Sequence, residues 1–198
     1  MIEIINISKE IPYKTFESFY NKAKENNQQA VDAICISSHD PEINQSDARF
    51  VNLKYIINDE WTFFSNYNSP KSKQFSLSNN ISATFYWNAI EAQIRIKAKI
   101  RKTDPVFSDE HFLSRNRDKN AIAISSNQSK EIDSYETVVA NYKSILQTDG
   151  ELSRPEFWGG FTFIPFYFEF WQGHHKRANK RKSYELMNGS WQIKTLQP

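Results

Sequence analysis

The sequence predicts an α+β fold centred on an antiparallel β-barrel, and three observations lead there. Segments that alternate apolar with basic or polar residues, such as IRIKAKIR over 94–101, have the period of strands with one wet face. Aromatic residues make up 15% of the chain and crowd into FWGGFTFIPFYFEFWQG, too densely for a surface helix. Helical patterns interrupt these strands without the regular strand–helix alternation of a doubly wound sheet.

Taken in order, residues 12–29 set Tyr13, Phe16, Tyr20 and Ala23 at helical spacing with Pro12 suited to the first turn, so an amphipathic helix opens the fold. AVDAICIS (30–37) reads as a mostly buried strand and HDPEINQSD (39–47) as a turn-rich loop. ARFVNLKYII (48–57) and EWTFFSNY (60–67) read as a hairpin joined at Asn58-Asp59. Ser69 and Pro70 start a short helix that stops at Asn79-Asn80. After the strand at 94–101, residues 105–126 and 134–148 read as helices, the second with Val138, Val139, Tyr142, Ile145 and Leu146 on one side. TDGELSRPEF leads into the aromatic strands, and YELMNGSWQIKTL closes the chain as a hairpin around Asn188-Gly189. No repeat or linker divides residues 1–198, which read as one domain; a chain of this size buries about 70% of its unfolded surface.

Composition narrows the function classes. With 25 basic and 23 acidic residues the net charge is +2, so no global field draws the chain to nucleic acid or membrane, and any anion preference is local. The single cysteine, Cys35, excludes a disulfide framework within the chain and reads as a buried strand thiol in a reducing cytoplasm. No apolar run approaches a membrane span, and MIEIINISKE lacks the pattern of a signal peptide, so a cytoplasmic location is expected. Neither a dinucleotide fingerprint nor a phosphate-binding glycine loop is present. The histidines at 39, 111, 174 and 175 lack metal-ligand spacing, so no metal is expected, and no nucleophile elbow occurs.

What remains is a set of basic residues within apolar or aromatic segments: Arg49, Lys54, Lys71, Arg115, Arg117, Arg177 and Arg181. In a strand, Arg177 and Arg181 project from one face with Asn179 between them. Guanidinium forks suit phosphate, which points to a phosphorylated small molecule. The other reading of KRANKRK is an edge strand made basic against edge-to-edge pairing.

The ordered motifs ARFVNLK, FFSNYNSPK, FYWNAIEAQIRI, HFLSRNRD, SSNQSKEI, FWGGF, FEFWQG, RANKR and WQIKTLQP resemble the pyridoxamine 5′-phosphate oxidase family over about three quarters of the chain. The resemblance implies an antiparallel split β-barrel of the FMN-binding type with flanking helices. It also implies a homodimer with FMN at the subunit interface, and oxidation of pyridoxamine or pyridoxine 5′-phosphate to pyridoxal 5′-phosphate with oxygen as acceptor. By position, Arg49 and Lys71 match residues that hold the FMN phosphate. Phe50, Val51, Asn52 and Lys54 match the strand along the flavin, and Phe64 and Ser65 continue that wall. Gln93, Trp171 and Arg181 match further FMN contacts, while Gln128 and Ser129 match an FMN-binding pair contributed across the interface.

For the substrate, Lys54, Arg115 and Arg177 match the family, with Arg177 nearest the chemistry. His111 stands for a tyrosine, Lys119 for a serine and Asn179 for a histidine of the family's site, and Pro70 for an arginine beside Lys71. These departures leave two alternatives open: an FMN oxidoreductase acting on another ring compound, as in phenazine biosynthesis, and a non-catalytic protein that binds FMN or a B6 phosphate.

Overall fold

A computed structural model describes residues 1–198. The strands are β1 (Glu3–Ile5), β2 (Ala33–Asp40), β3 (Gln45–Ile57), β4 (Glu60–Asn66), β5 (Asn80–Trp87), β6 (Ala92–Lys102), β7 (Trp158–Gln172), β8 (Lys180–Met187) and β9 (Ser190–Leu196). The helices are α1 (Ile11–Glu25), α2 (Pro70–Leu77), α3 (Pro105–Ser114), α4 (Arg117–Ser125) and α5 (Tyr135–Leu146).

Pairing closes a ring in the order β3, β2, β5, β6, β7, β4 and back to β3, with every pair antiparallel. Two long strands split their partners. β3 pairs with β2 through residues 45–52 and with β4 through 53–57. β7 pairs with β4 through 158–163 and with β8 through 167–172, where the β8–β9 hairpin extends the sheet. Closure leaves the ring without a free edge, which removes the template for unwanted pairing. At the hairpin tip Asn188 and Gly189 have φ of 51° and 75°, the positive values that a two-residue turn of this twist requires.

The expected alternation in β6 is borne out: Ile94, Ile96, Ala98 and Ile100 are buried while Arg95, Lys97, Lys99 and Arg101 face out. Helix α1 packs Tyr13, Phe16, Tyr20 and Ala23 on the same core, with the Phe16 ring 4.4 Å from Trp61 and 5.5 Å from Phe85. In β7 the pair Gly159-Gly160 permits close approach. A Cβ on Gly160 would lie 2.5 Å from Thr103 Oγ1, and one on Gly159 would run into the Tyr67 hydroxyl. The Gly160 N–H donates to Ser108 Oγ at 3.1 Å, which ties α3 to the strand.

Three expectations are corrected and one strand is added. The helix expected over 105–126 is two, because Arg115 is extended and Asn116 caps a new helix, its Oδ1 accepting from the Lys119 N–H at 3.0 Å. The loop expected over 39–47 shrinks to a turn at 41–44, since His39 and Asp40 pair with Ser46 and Gln45 across the β2–β3 ladder. Strand β1, parallel to 55–57, has no local signal strong enough to announce it. Arg177 and Asn179 precede β8 and lie in a turn, where Arg177 has φ of 59° and its N–H donates to the His174 carbonyl at 2.8 Å.

Candidate functional site

A cleft of about 630 Å³ opens where β3 and β4 meet α2, α3 and α4. From β3 come Arg49, Phe50, Val51, Asn52 and Lys54, and from β4 come Phe64 and Ser65. Lys71 enters from α2, His111 from α3 and Lys119 from α4, with Arg115 at the break between those helices. Gln128 and Ser129 complete the wall. The break between α3 and α4 that the sequence does not announce is therefore what turns Arg115 into the cleft.

At one end Lys71 is only 7% exposed, and its three hydrogen-bond partners are neutral. Its Nζ donates to Ser65 Oγ and Ser69 Oγ at 3.1 Å each and to Gln128 Oε1 at 3.4 Å. Burial, then the adjacent charge of Arg49, pulls the Lys71 amine down to about 8. Arg49 is held by Ser38 Oγ at 2.7 Å, by the Ile36 carbonyl at 3.3 Å and by Gln74 Oε1 at 3.0 Å, and it pairs with Asp47 at 2.7 Å. Two cations thus face one carboxylate at this end.

At the other end the rings of Phe64 and His111 stack 3.8 Å apart, and Trp158 lies parallel to Phe64 at 5.4 Å. The Arg115 guanidinium sits 4.4 Å above the Trp158 ring, a cation–π contact. Its Nη2 donates to the Lys119 carbonyl at 2.7 Å, while Nη1 is buried with no partner at all. A buried donor without an acceptor costs free energy unless a ligand supplies one. Burial, followed by the charges of Arg115, Lys54 and Lys119, lowers His111 to about 4, so the imidazole is neutral at pH 7. Lys54 is held by Asp32 at 3.1 Å.

The other residues singled out from the sequence do not reach this cleft within one chain. Gln93, Trp171 and Arg181 lie side by side in register across β6, β7 and β8. Arg181 is pinned by Glu169, whose Oε1 accepts from Nε at 3.1 Å and from Nη2 at 2.8 Å. Asn179 and Arg181 line a second cleft with Phe19 and Phe170, and Asn179 Oδ1 accepts from the His174 N–H at 3.0 Å. Gln128 meets Ser65 and Lys71 of its own chain. Asp47, Tyr55 and Trp158 shape the site without a signal in the sequence; Trp158 belongs to the quoted FWGGF, where its aromatic density reads as core.

A family model described as the pyridoxine 5′-phosphate oxidase C-terminal dimerisation region matches residues 158–198. A pyridoxine/pyridoxamine 5′-phosphate oxidase of Rippkaea orientalis is 33% identical over 190 residues, covering 94% of this chain and 89% of that protein. One of Leptospira biflexa is 32% identical over 189 residues, covering 94% and 89%. Among solved structures, PhzG from Burkholderia lata 383, in complex with tetrahydrophenazine-1-carboxylic acid, superposes with a TM-score of 0.90 at 21% identity, covering 94% of this chain and 92% of that one. A pyridoxamine 5′-phosphate oxidase-related, FMN binding protein of Nostoc punctiforme superposes with a TM-score of 0.77 at 9% identity, covering 96% and 99%. These two likenesses establish the split-barrel fold.

Proposed function

The chain belongs to the pyridoxine/pyridoxamine 5′-phosphate oxidase family, and on that premise we propose that it is a cytoplasmic, FMN-dependent oxidase that converts pyridoxamine or pyridoxine 5′-phosphate to pyridoxal 5′-phosphate as a homodimer. The observation that carries this reading is a cleft with two cationic ends, one of them walled by stacked aromatic rings. Arg49 and Lys71 form one end and Arg115, Lys54 and Lys119 the other, where Phe64, His111 and Trp158 stack. Two phosphates and two flat ring systems match that arrangement.

The residues fit FMN on their chemistry. Lys71 is a buried cation whose bonded partners are neutral, and it waits for an anion that its own chain does not bring into contact. Arg49 and Lys71 would hold the cofactor phosphate, Gln128 and Ser129 would flank it, and Phe50, Val51, Asn52, Phe64 and Ser65 would line the ring. FMN, when bound, supplies the two-electron acceptor that no side chain provides.

The chain's own work is binding and orientation. The free Nη1 of Arg115, with Lys54 and Lys119, would anchor the substrate phosphate, so that binding energy remote from the reacting carbon sets its approach. His111 would add a neutral donor. Gln93, Trp171, Arg177, Asn179 and Arg181 lie away from the cleft of their own chain; the dimerisation-region match at 158–198 supports the entry of the last four into the cleft of a second copy, and Gln93 is paired with Trp171 in the sheet. There Arg177 would orient the substrate and Arg181 would contact the cofactor. No helix is long and apolar enough to cross a membrane.

The test is anaerobic: pyridoxamine 5′-phosphate is added to FMN-loaded protein and the visible flavin band is followed. Bleaching that reverses in air is the expected result. A second reading, oxidation of a different ring compound, is favoured by His111, Lys119 and Asn179 standing at substrate positions. It predicts a flavin band untouched by B6 phosphates but bleached by another ring donor. A band that no donor bleaches would leave a binding role.

A further inference from the structure

We infer that Asp47 determines the affinity of the Arg49–Lys71 end of the cleft for phosphate, by occupying the guanidinium that an incoming anion must engage. The inference rests on the reading of that end as the seat of a phosphate. Asp47 and Arg49 are two apart on β3 and project to the same side, and Asp47 Oδ2 meets Arg49 Nη2 at 2.7 Å. The remaining Nη hydrogens are already committed. Nη1 donates to Ser38 Oγ and to the Ile36 carbonyl, and Nη2 also donates to Gln74 Oε1. Only Nε–H is left, so the guanidinium offers a two-pronged grip only when the Asp47 carboxylate moves aside.

Ser38 is 4% exposed and Gln74 8% exposed, and both are fixed in the packed wall behind Arg49. The Asp47 side chain, by contrast, keeps 55% of its surface in solvent. It is therefore the one partner of Arg49 that can swing away without opening the core. Asp47 is also the only carboxylate among the residues that line the cleft. Its charge opposes a phosphate twice, by holding Arg49 and by repelling the anion across a short distance. Pro70 brings no donor to the same end, so Arg49 and Lys71 work there against one negative charge.

The test compares wild type with Asp47→Asn and Asp47→Ala, each first checked for an unchanged thermal melt without ligand. The asparagine keeps an oxygen for the Ala48 N–H, which donates to Asp47 Oδ1 at 2.7 Å. Binding is read by quenching of flavin fluorescence with FMN and with riboflavin, which lacks the phosphate. Thermal stabilisation by inorganic phosphate is measured in parallel. Both variants should bind FMN about tenfold more tightly and riboflavin with unchanged affinity. Equal or weaker FMN binding, or an equal gain for riboflavin, overturns the inference. If wild type takes neither flavin, the cofactor reading fails by itself. The phosphate series then decides: larger stabilisation of the variants upholds the role of Asp47, and equal stabilisation ends it.

Discussion

Tyr55 Oη lies 2.8 Å from His111 Nδ1, and the two rings meet edge to face at 5.3 Å and 86°. Burial, then Glu3, raises the Tyr55 phenol, which therefore stays protonated, and a phenol O–H is a stronger donor than the N–H of a neutral imidazole. His111 is neutral, so accepting at Nδ1 leaves its hydrogen on Nε2. Tyr55 thereby positions an uncharged donor at the substrate end of the cleft. Changing Tyr55 to Phe should release that tautomer, seen as a change in the 15N shifts of His111, and raise the substrate KM about threefold to tenfold with little change in kcat. Shifts identical to wild type would show that Tyr55 does not set the tautomer.

The same histidine makes stability depend on pH. Its folded value of about 4 lies below the ordinary 6.5, so protonation favours the unfolded chain. The contribution of neutral His111 is fully present above about 6.5 and is lost as pH falls from there through about 4. Thermal melts across that window should show a declining Tm in wild type and a shallower decline in His111→Gln. Parallel curves would place the acid sensitivity elsewhere.

Lys71 sets a second pH dependence, of cofactor binding rather than of stability. Because its amine is pulled down to about 8, it carries charge below that value and loses it above. FMN affinity should weaken as pH rises through about 8, and Lys71→Met should bind FMN at least tenfold more weakly with that slope flattened. Flavin fluorescence titrations at several pH values measure both effects.

Glu169 is 2% exposed and holds Arg181 on one oxygen and Arg95 on the other, with the Tyr167 hydroxyl donating at 3.1 Å. Replacing it by Ala should cost about 2 kcal/mol, less than the loss of a fully buried pair, because Arg95 and Arg181 retain contact with water. It should also weaken FMN binding by freeing Arg181. A destabilised variant with wild-type FMN affinity would remove Arg181 from the cofactor site.

Arg177 occupies the left-handed region with φ of 59°, where Gly is at ease and Ala is not. Arg177→Gly therefore isolates the loss of the side chain from backbone strain. It should raise the KM for the B6 phosphate and lower turnover while FMN binding stays within about twofold, since the residue is assigned to substrate alone. Unchanged steady-state kinetics would take Arg177 out of the site.

Most of the strands and their turns were determined by the sequence alone, because their signals are local. The alternation of IRIKAKIR decides which side of β6 is wet, and Asn188-Gly189 accepts the positive φ that its turn demands. The motif resemblance also led to Arg49, Lys54, Phe64, Lys71, His111 and Gln128, which the fold gathers into one cleft, while Gln93 stays outside it. Only the tertiary structure decided what depends on distant pairing. It ended a helical pattern at Arg115, took Arg177 and Asn179 out of the strand that spacing alone suggested, and placed Gln128 against Lys71 of its own chain. It joined Tyr55 to His111 and set Trp158 beneath Arg115. Periodicity records which face of an element is apolar. It carries no record of which elements meet across 50 or 100 residues, and the unpaired Nη1 of Arg115 exists only once they have met.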